Sequence, residues 1–191
     1  EHFTDGEQNV DYVLTTTEVT RMIKEAGIDL EEMPSEALDM PFGLASGAGA
    51  IFGVTGGVTE AVIRNLVGSN RMEDLEEISF TGVRGLHGTK EAVIDYQGRE
   101  VRIAIVNGLR NADNLLKKME SGEVQYDFVE VMACKRGCIS GGGQPVPIGP
   151  RTKQARFEGI YNIDRAAQIK LSKENPIVRT AYEGILKGKE L

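Results

Sequence analysis

The clearest hydrophobic pattern lies in the middle of the chain. Lys90-Glu-Ala-Val-Ile-Asp-Tyr96 alternates apolar and polar positions, which predicts a half-buried strand. Gln97-Gly98 supplies a two-residue turn, and Arg99 to Val106 returns as the second arm of a hairpin. That arm becomes fully apolar over Ile103-Ala-Ile-Val106, so its end should be buried in a sheet. Asn107-Gly108 closes it. Helical spacing then predicts a helix over Asn111 to Glu120, with Leu115, Leu116 and Met119 inward and Gly122 as its stop. Its Asn-Ala-Asp-Asn start offers capping oxygens. Tyr126 to Ala133 is β-branched and aromatic, and it predicts a buried strand that completes a β-α-β unit.

The flanks read less regularly. Residues 1–10 are polar and should be loosely ordered. Tyr12-Val-Leu-Thr15 predicts a short strand, followed by a helix capped by Thr16 or Thr17. Val19, Met22, Ile23 and Ala26 would share one face of that helix, and Gly27 would stop it. Ile28 to Pro41 is acidic and holds two prolines, which marks a connecting loop. A second helix is predicted over Val58 to Val67, with Val58, Ala61, Val62 and Leu66 inward. A strand is predicted around Ile78 to Thr81. Gln144 to Pro150 reads as extended. Helices follow over Arg151 to Tyr161, Ile163 to Leu171, and Pro176 to about Lys187. The fold class implied is α/β: a small, mostly parallel sheet with an antiparallel hairpin, flanked by helices.

Composition narrows the possibilities. At 191 residues the chain fits one domain or one lobe of a larger one. A net charge of −7 leaves no electrostatic footprint for nucleic acid. No apolar run approaches the ~20 residues that span a bilayer, and no signal-peptide pattern opens the chain. Two cysteines make no disulfide framework and fit a reducing, cytoplasmic compartment. The first residue is Glu rather than Met, which suggests a piece of a longer polypeptide.

Both cysteines lie where the last predicted strand ends, in Glu130-Val-Met-Ala-Cys134-Lys-Arg-Gly-Cys138-Ile-Ser-Gly-Gly-Gly143-Gln-Pro145. Ligands of open α/β sheets usually sit at such strand ends. Thiolates bind soft metals and iron–sulfur clusters, and glycines let backbone approach closely. The C-x3-C spacing is not that of a zinc ribbon or a thioredoxin-like site, and two thiols cannot complete a four-ligand site. On spacing alone, two inert thiols or an incidental disulfide fit equally well. A second glycine-rich stretch, Phe42 to Val58, leads into a helix. It lacks both the G-x-x-x-x-G-K-[ST] and the G-x-G-x-x-G patterns of phosphate-binding loops.

Taken whole, E-x-M-A-C-x-x-G-C-x-x-G-G-G-Q-P resembles the last signature motif of iron-only (FeFe) hydrogenases. Ser46-Gly-Ala-Gly-Ala-Ile-Phe52-Gly-Val-Thr55-Gly56-Gly-Val-Thr-Glu-Ala61 resembles a second segment of that family. Val13-Leu-Thr-Thr16, Val106-Asn-Gly-Leu-Arg-Asn111 and the Ser172-Lys-Glu-Asn-Pro176 turn extend the likeness from about Asp11 onward. The resemblance implies that residues 1–191 form the C-terminal lobe of the catalytic domain, with a helical tail from about 151. It implies Cys134 as a ligand of a 4Fe–4S cubane and Cys138 as the thiolate bridging it to a two-iron subcluster, together the H-cluster. Met132 and Phe52 would face the two-iron unit, with Thr55 and Gly56 nearby. Ser46, Gly47 and Gly142 would also line the cofactor. The activity implied is reversible hydrogen oxidation and proton reduction.

Two features depart from the family. Lys135 and Arg136 stand where the family commonly has Pro-Gly or another small pair, and Thr59 replaces a methionine. The other two signature motifs, which supply the remaining cubane ligands and the proton-donating cysteine, have no match. The chain alone is therefore expected to be inactive and cluster-free, and to need an N-terminal lobe of the same parent. Ferredoxin or another electron carrier would be the redox partner. The alternative implied is a hydrogenase-like iron–sulfur assembly or hydrogen-sensing domain without hydrogenase chemistry.

Overall fold

The computed structural model describes residues 10–36, 43–67 and 88–188. The strand expected around Ile78 to Thr81 and nearly all of the leading polar stretch lie outside them. Among the described residues, three strands form one sheet in the order β1 (Thr89–Tyr96), β2 (Arg99–Asn107), β3 (Phe128–Met132). β1 and β2 pair antiparallel across the Gln97-Gly98 turn. Both turn residues have positive φ, +56° and +78°, the geometry that twists a two-residue hairpin correctly. β2 and β3 pair parallel, from Ile103 against Phe128 to Asn107 against Met132. The α/β class and the hairpin therefore stand as the pattern predicted.

Six α-helices accompany the sheet among the described residues: α1 (Thr16–Glu25), α2 (Gly47–Ala50), α3 (Gly57–Val67), α4 (Leu109–Glu120), α5 (Pro150–Ala166) and α6 (Pro176–Glu183). The two faces of the sheet carry different helices. Ile103 and Ile105 of β2 and Ala92 of β1 meet Ile63 of α3 on one face. Ala104 and Val106 meet Ala112 and Leu115 of α4 on the other. This split follows from the period of two along a strand. The same period puts Lys90, Asn107, Glu130 and Met132 on the α3 side.

Several expectations are corrected. Tyr12 to Thr15 is not a strand: Tyr12 and Val13 are 86% and 84% exposed, and no strand pairs with them among the described residues. Thr15, one residue earlier than expected, caps α1 in a capping box with Glu18. α1 buries none of its residues. α4 starts at Leu109, and Asn111 donates to the Asn107 carbonyl instead of capping. Leu116 faces outward. The two helices expected between 151 and 171 are one helix ending at Ala166. Continuity there has a reason. Tyr161 and Asp164 are three apart on one helical face, and both are buried against α3 partners.

The inner stripe of α3 also differs. Val58 and Val62 are half-buried and Leu66 is exposed, whereas Thr59, Glu60, Ile63 and Arg64 are fully buried together with Ala61. Apolar periodicity missed this because the buried charges are paired. Arg64 donates to Glu60 Oε1 at 2.5 Å and forks onto both Asp164 oxygens at 2.8 and 2.7 Å. Tyr161 Oη donates to Glu60 Oε2 at 3.0 Å. Burial disfavours the Arg64 charge, but Asp164 and Glu60 outweigh it and raise its pKa. Lys170 completes the group by donating to the Asp164 carbonyl.

Removing one partner from a buried ion network strands the others. Arg64→Met should lower stability by about 3–5 kcal/mol, read as a shift of the urea midpoint. A loss below about 1 kcal/mol would show that the charges are solvated in solution.

Candidate metal centre

The site is built from the ends of β2 and β3 and the segment leading into α3. Glu130 sits in the middle of β3 and is buried. Its carboxylate accepts from the Gly56 N–H at 2.7 Å, the Thr59 N–H at 2.8 Å and the Thr59 hydroxyl at 2.7 Å. These are donors of the first turn of α3, which no intrahelical carbonyl can satisfy. A carboxylate there also meets the positive end of the helix dipole. Glu130 thus fastens the sheet to the Thr55-Gly56 corner. Gly56 takes φ +90° at that corner, a region open to glycine at little strain.

Four residues past Glu130 comes Cys134. The chain bends through Lys135 and Arg136 to Gly137, whose N–H bonds the Cys134 carbonyl at 3.2 Å. Gly137 is buried, and a Cβ there would meet Thr55 N at 2.8 Å, Gly53 O at 2.9 Å and Val54 C at 3.0 Å. The middle of the cysteine loop therefore lies backbone against backbone on the Phe52 segment. Cys138 opens a short 3-10 turn, Cys138–Ser140. Ile139 in that turn is buried with Ile51, Val54 and Tyr161, which anchors the loop from below. Asn107 ties the same parts from the sheet: Nδ2 donates to Thr55 Oγ1 at 3.3 Å, and Oδ1 accepts from the Arg136 N–H at 2.8 Å.

Both thiols are free and exposed. A Cβ on Gly141 would lie 3.6 Å from Cys134 Sγ and 4.0 Å from the Cys138 Cα. Gly141 thus packs between the Cys134 sulfur and the Cys138 backbone. Ser140 Oγ, buried in the same loop, has no hydrogen-bond partner. Two accessible thiols in a glycine-rich loop suit part of an iron–sulfur ligand set. They do not complete one, and no group of three or more His, Cys, Asp or Glu side chains gathers as a metal site among the described residues.

The other expected site residues divide into two sets. Phe52 is 46% exposed in the 3-10 turn Ile51–Gly53, just before the Gly53–Thr55 backbone on which Gly137 lies. Met132 is half-buried at the end of β3, and its carbonyl accepts from the Gly108 N–H. Gly142 is exposed with open space around it. Ser46 and Gly47 instead meet the tail. Ser46 bridges to Ile169, the Gly47 N–H donates to the Ile169 carbonyl at 2.8 Å, and Ser46 Oγ lies 3.4 Å from Ser172 Oγ. A Cβ on Gly47 would collide with Asp164. A separate apolar cleft of about 350 Å³, between Thr17–Glu25 and Pro145-Val146, includes none of the expected site residues.

Motif reading gave no role to the residues that fasten the site and the layer behind it: Glu130, Asn107 and Glu60 stood inside the motifs unassigned, and Lys90 and Arg64 stood outside them. The available signal was a polar residue within an apolar strand, as in Phe128-Val-Glu130-Val-Met, and Asn107 closing Ile103–Val106.

Comparison with known proteins decides the family. Residues 1–142 match the model described as "Iron only hydrogenase large subunit, C-terminal domain". The chain belongs to the iron-only hydrogenase family. Residues 150–191 match the family's "Iron hydrogenase small subunit". Iron hydrogenase 1 of Clostridium pasteurianum is 40% identical over 188 residues, 94% of this chain and 32% of that protein. The periplasmic Fe hydrogenase large subunit of Nitratidesulfovibrio vulgaris is 40% identical over 144 residues, 75% of this chain and 34% of that protein. Cytosolic iron-sulfur assembly component 3 of Mus musculus is 32% identical over 193 residues, 96% of this chain and 39% of that protein. A solved FeFe-hydrogenase HydA1 variant from Chlamydomonas reinhardtii superposes with a TM-score of 0.66 at 34% identity, covering 93% of this chain and 52% of that one. The chain spans about a third of the length of the two hydrogenase relatives.

Behind the site, Lys90 is 9% exposed, and its Nζ lies 3.5 Å from the Thr55 carbonyl. Burial pulls its pKa down from 10.5 to about 8, although Glu130 and Glu60 oppose the shift. The unfolded chain then binds more protons between pH 8 and 10.5 than the folded one. Stability should therefore rise with pH across that window, by roughly 2–3 kcal/mol from this group. Subtracting the urea stability curve of Lys90→Met from that of the wild type isolates the effect. Parallel curves over this range would contradict a buried, shifted Lys90.

Proposed function

We propose that this chain is one lobe of the catalytic unit of an iron-only hydrogenase. Cys134 and Cys138 supply two of the thiolates that hold its H-cluster, Cys134 to the cubane and Cys138 bridging to the two-iron subcluster. The observation that carries this reading is the seating of the exposed cysteine loop on the Gly53–Thr55 backbone, next to Phe52, through Gly137. When bound, the cofactor supplies reversible interconversion of two protons and two electrons with hydrogen.

The chain's own part is binding, orientation and exclusion of water. The thiolates bind through sulfur. Gly141 adds no side chain beside the Cys134 sulfur, and Glu130 and Asn107 fix the corner beside the loop. Phe52 and Met132 offer apolar surface to the bound group. Residues 1–191 act as a single lobe, with residues from about 151 as its helical tail. Its first partner is the N-terminal lobe of the same parent, which brings the other ligands. Support comes from the third of the relatives' length that the chain spans, and from Tyr12, Val13 and a helix α1 with no buried residue. Ferredoxin or a similar carrier is the electron partner. A cytoplasmic location suits two exposed free thiols, although one relative is named as periplasmic.

A second reading is an iron–sulfur assembly or hydrogen-sensing role, favoured by the 32% identity to the assembly component over nearly the whole chain. Hydrogen evolution by the full-length parent, lost in Cys138→Ser, separates the two. A parent that binds iron but evolves no hydrogen supports the second.

The isolated chain should be inactive. Incubated anaerobically with iron and sulfide, it should retain well under the roughly four irons of a cubane, because it offers two thiolates of four. Iron content and visible absorbance check this. A stable cluster of about four irons per chain would contradict the half-site reading.

A further inference from the structure

Between the two cysteines the backbone turns at Arg136 with φ +71°. That left-handed geometry strains a residue with a Cβ, and a glycine would adopt it without strain. The surroundings impose it: the Arg136 N–H is held at 2.8 Å by Asn107 Oδ1, itself 2% exposed. Strain that the surroundings over-determine marks functional sites. What arginine adds over glycine here is its side chain.

That residue is half-buried, and its guanidinium has no hydrogen bond or ion pair among the described residues. Lys135, exposed, runs its stem over Gly108, where a Cβ would meet Lys135 Cγ at 3.2 Å. Its ammonium also has no such partner among the described residues. A chain of net charge −7 thus spends two unneutralised cations on the three residues that separate its thiols.

We propose that Arg136, with Lys135 beside it, sets positive charge against the anionic group held by Cys134 and Cys138, and so makes the loaded centre easier to reduce. This rests on the reading of those thiols as cluster ligands. Thiolates and sulfides give the bound group negative charge. Reduction adds one electron from the external carrier and one more negative charge, so a fixed cation stabilises the reduced form more than the oxidised one. Arginine keeps its charge at every working pH. It acts through its field and touches no reacting atom.

The metal-free, reduced chain tests this directly. Its thiols are reacted with an anionic aromatic disulfide, dithiobis(nitrobenzoate), and with the neutral dithiodipyridine. In each case the thiolate forms a mixed disulfide and expels one aryl thiolate. The thiolate fraction is common to both probes, so the ratio of the two rates reads the local charge. At low ionic strength the anionic-to-neutral ratio should fall about threefold in Arg136→Gln. Arg136→Lys should retain it, and salt should shrink the wild-type advantage. Arg136→Gly should show the same fall while relieving the turn, which guards against a folding artefact. In the loaded parent, the potential of the centre should move down in the Gln and Gly variants. An unchanged probe ratio in Arg136→Gln, or a Lys variant that behaves like Gln, overturns the proposal. Iron content reports separately on whether the thiols bind a cluster.

Discussion

One buried carboxylate organises this structure. Glu130 reaches from the middle of β3 to the first turn of α3 and takes three hydrogen bonds there. Bonds from N–H groups to an ionised acceptor are among the stronger ones in proteins. Two of the three also satisfy orphan N–H donors of a buried helix start. Through this contact, a strand and a helix distant in sequence fix Thr55 and Gly56 against the loop that Glu130 itself leads into. The Gly137 backbone can then lie on Gly53–Thr55 without a side chain between them.

The layers behind this clamp carry unusual charge for an interior. Lys90, Glu60, Arg64, Asp164 and Lys170 are all buried near the same helix. Such networks seldom add net stability over a well-packed apolar core. They do penalise alternative packings severely, because any slip leaves a charge unpaired. For a loop seated backbone against backbone on its neighbour, such uniqueness of packing fixes its position. The cations of the loop itself, Lys135 and Arg136, differ: Lys135 is exposed and Arg136 half-buried, both between the two cysteines in sequence.

Legibility in the sequence tracks how local the cause is. The β1–β2 hairpin was readable because alternation and Gln97-Gly98 act over a few residues. The cysteine motif was readable because its residue types and spacing carry chemistry. α3 was found, but its inner face was misread, since Thr59, Glu60 and Arg64 are buried by partners 71 to 101 residues away. Tyr12 to Thr15 has strand-like composition, yet no strand to pair with among the described residues. α5 runs through the break expected near Asn162 because Tyr161 and Asp164 each find a partner on α3. Ser46 and Gly47 share a motif with Phe52 but fold toward the tail.

The central claim is that Glu130 holds the helix start and, with it, the cysteine corner. Amide hydrogen exchange resolved at Gly56 and Thr59 tests it most directly. These N–H groups precede any intrahelical acceptor, so only the Glu130 carboxylate can protect them. The account predicts slow exchange in the wild type, and fast exchange at these two sites in Glu130→Ala while β1 and β2 stay protected. Fast exchange at Gly56 and Thr59 in the wild-type chain would contradict it.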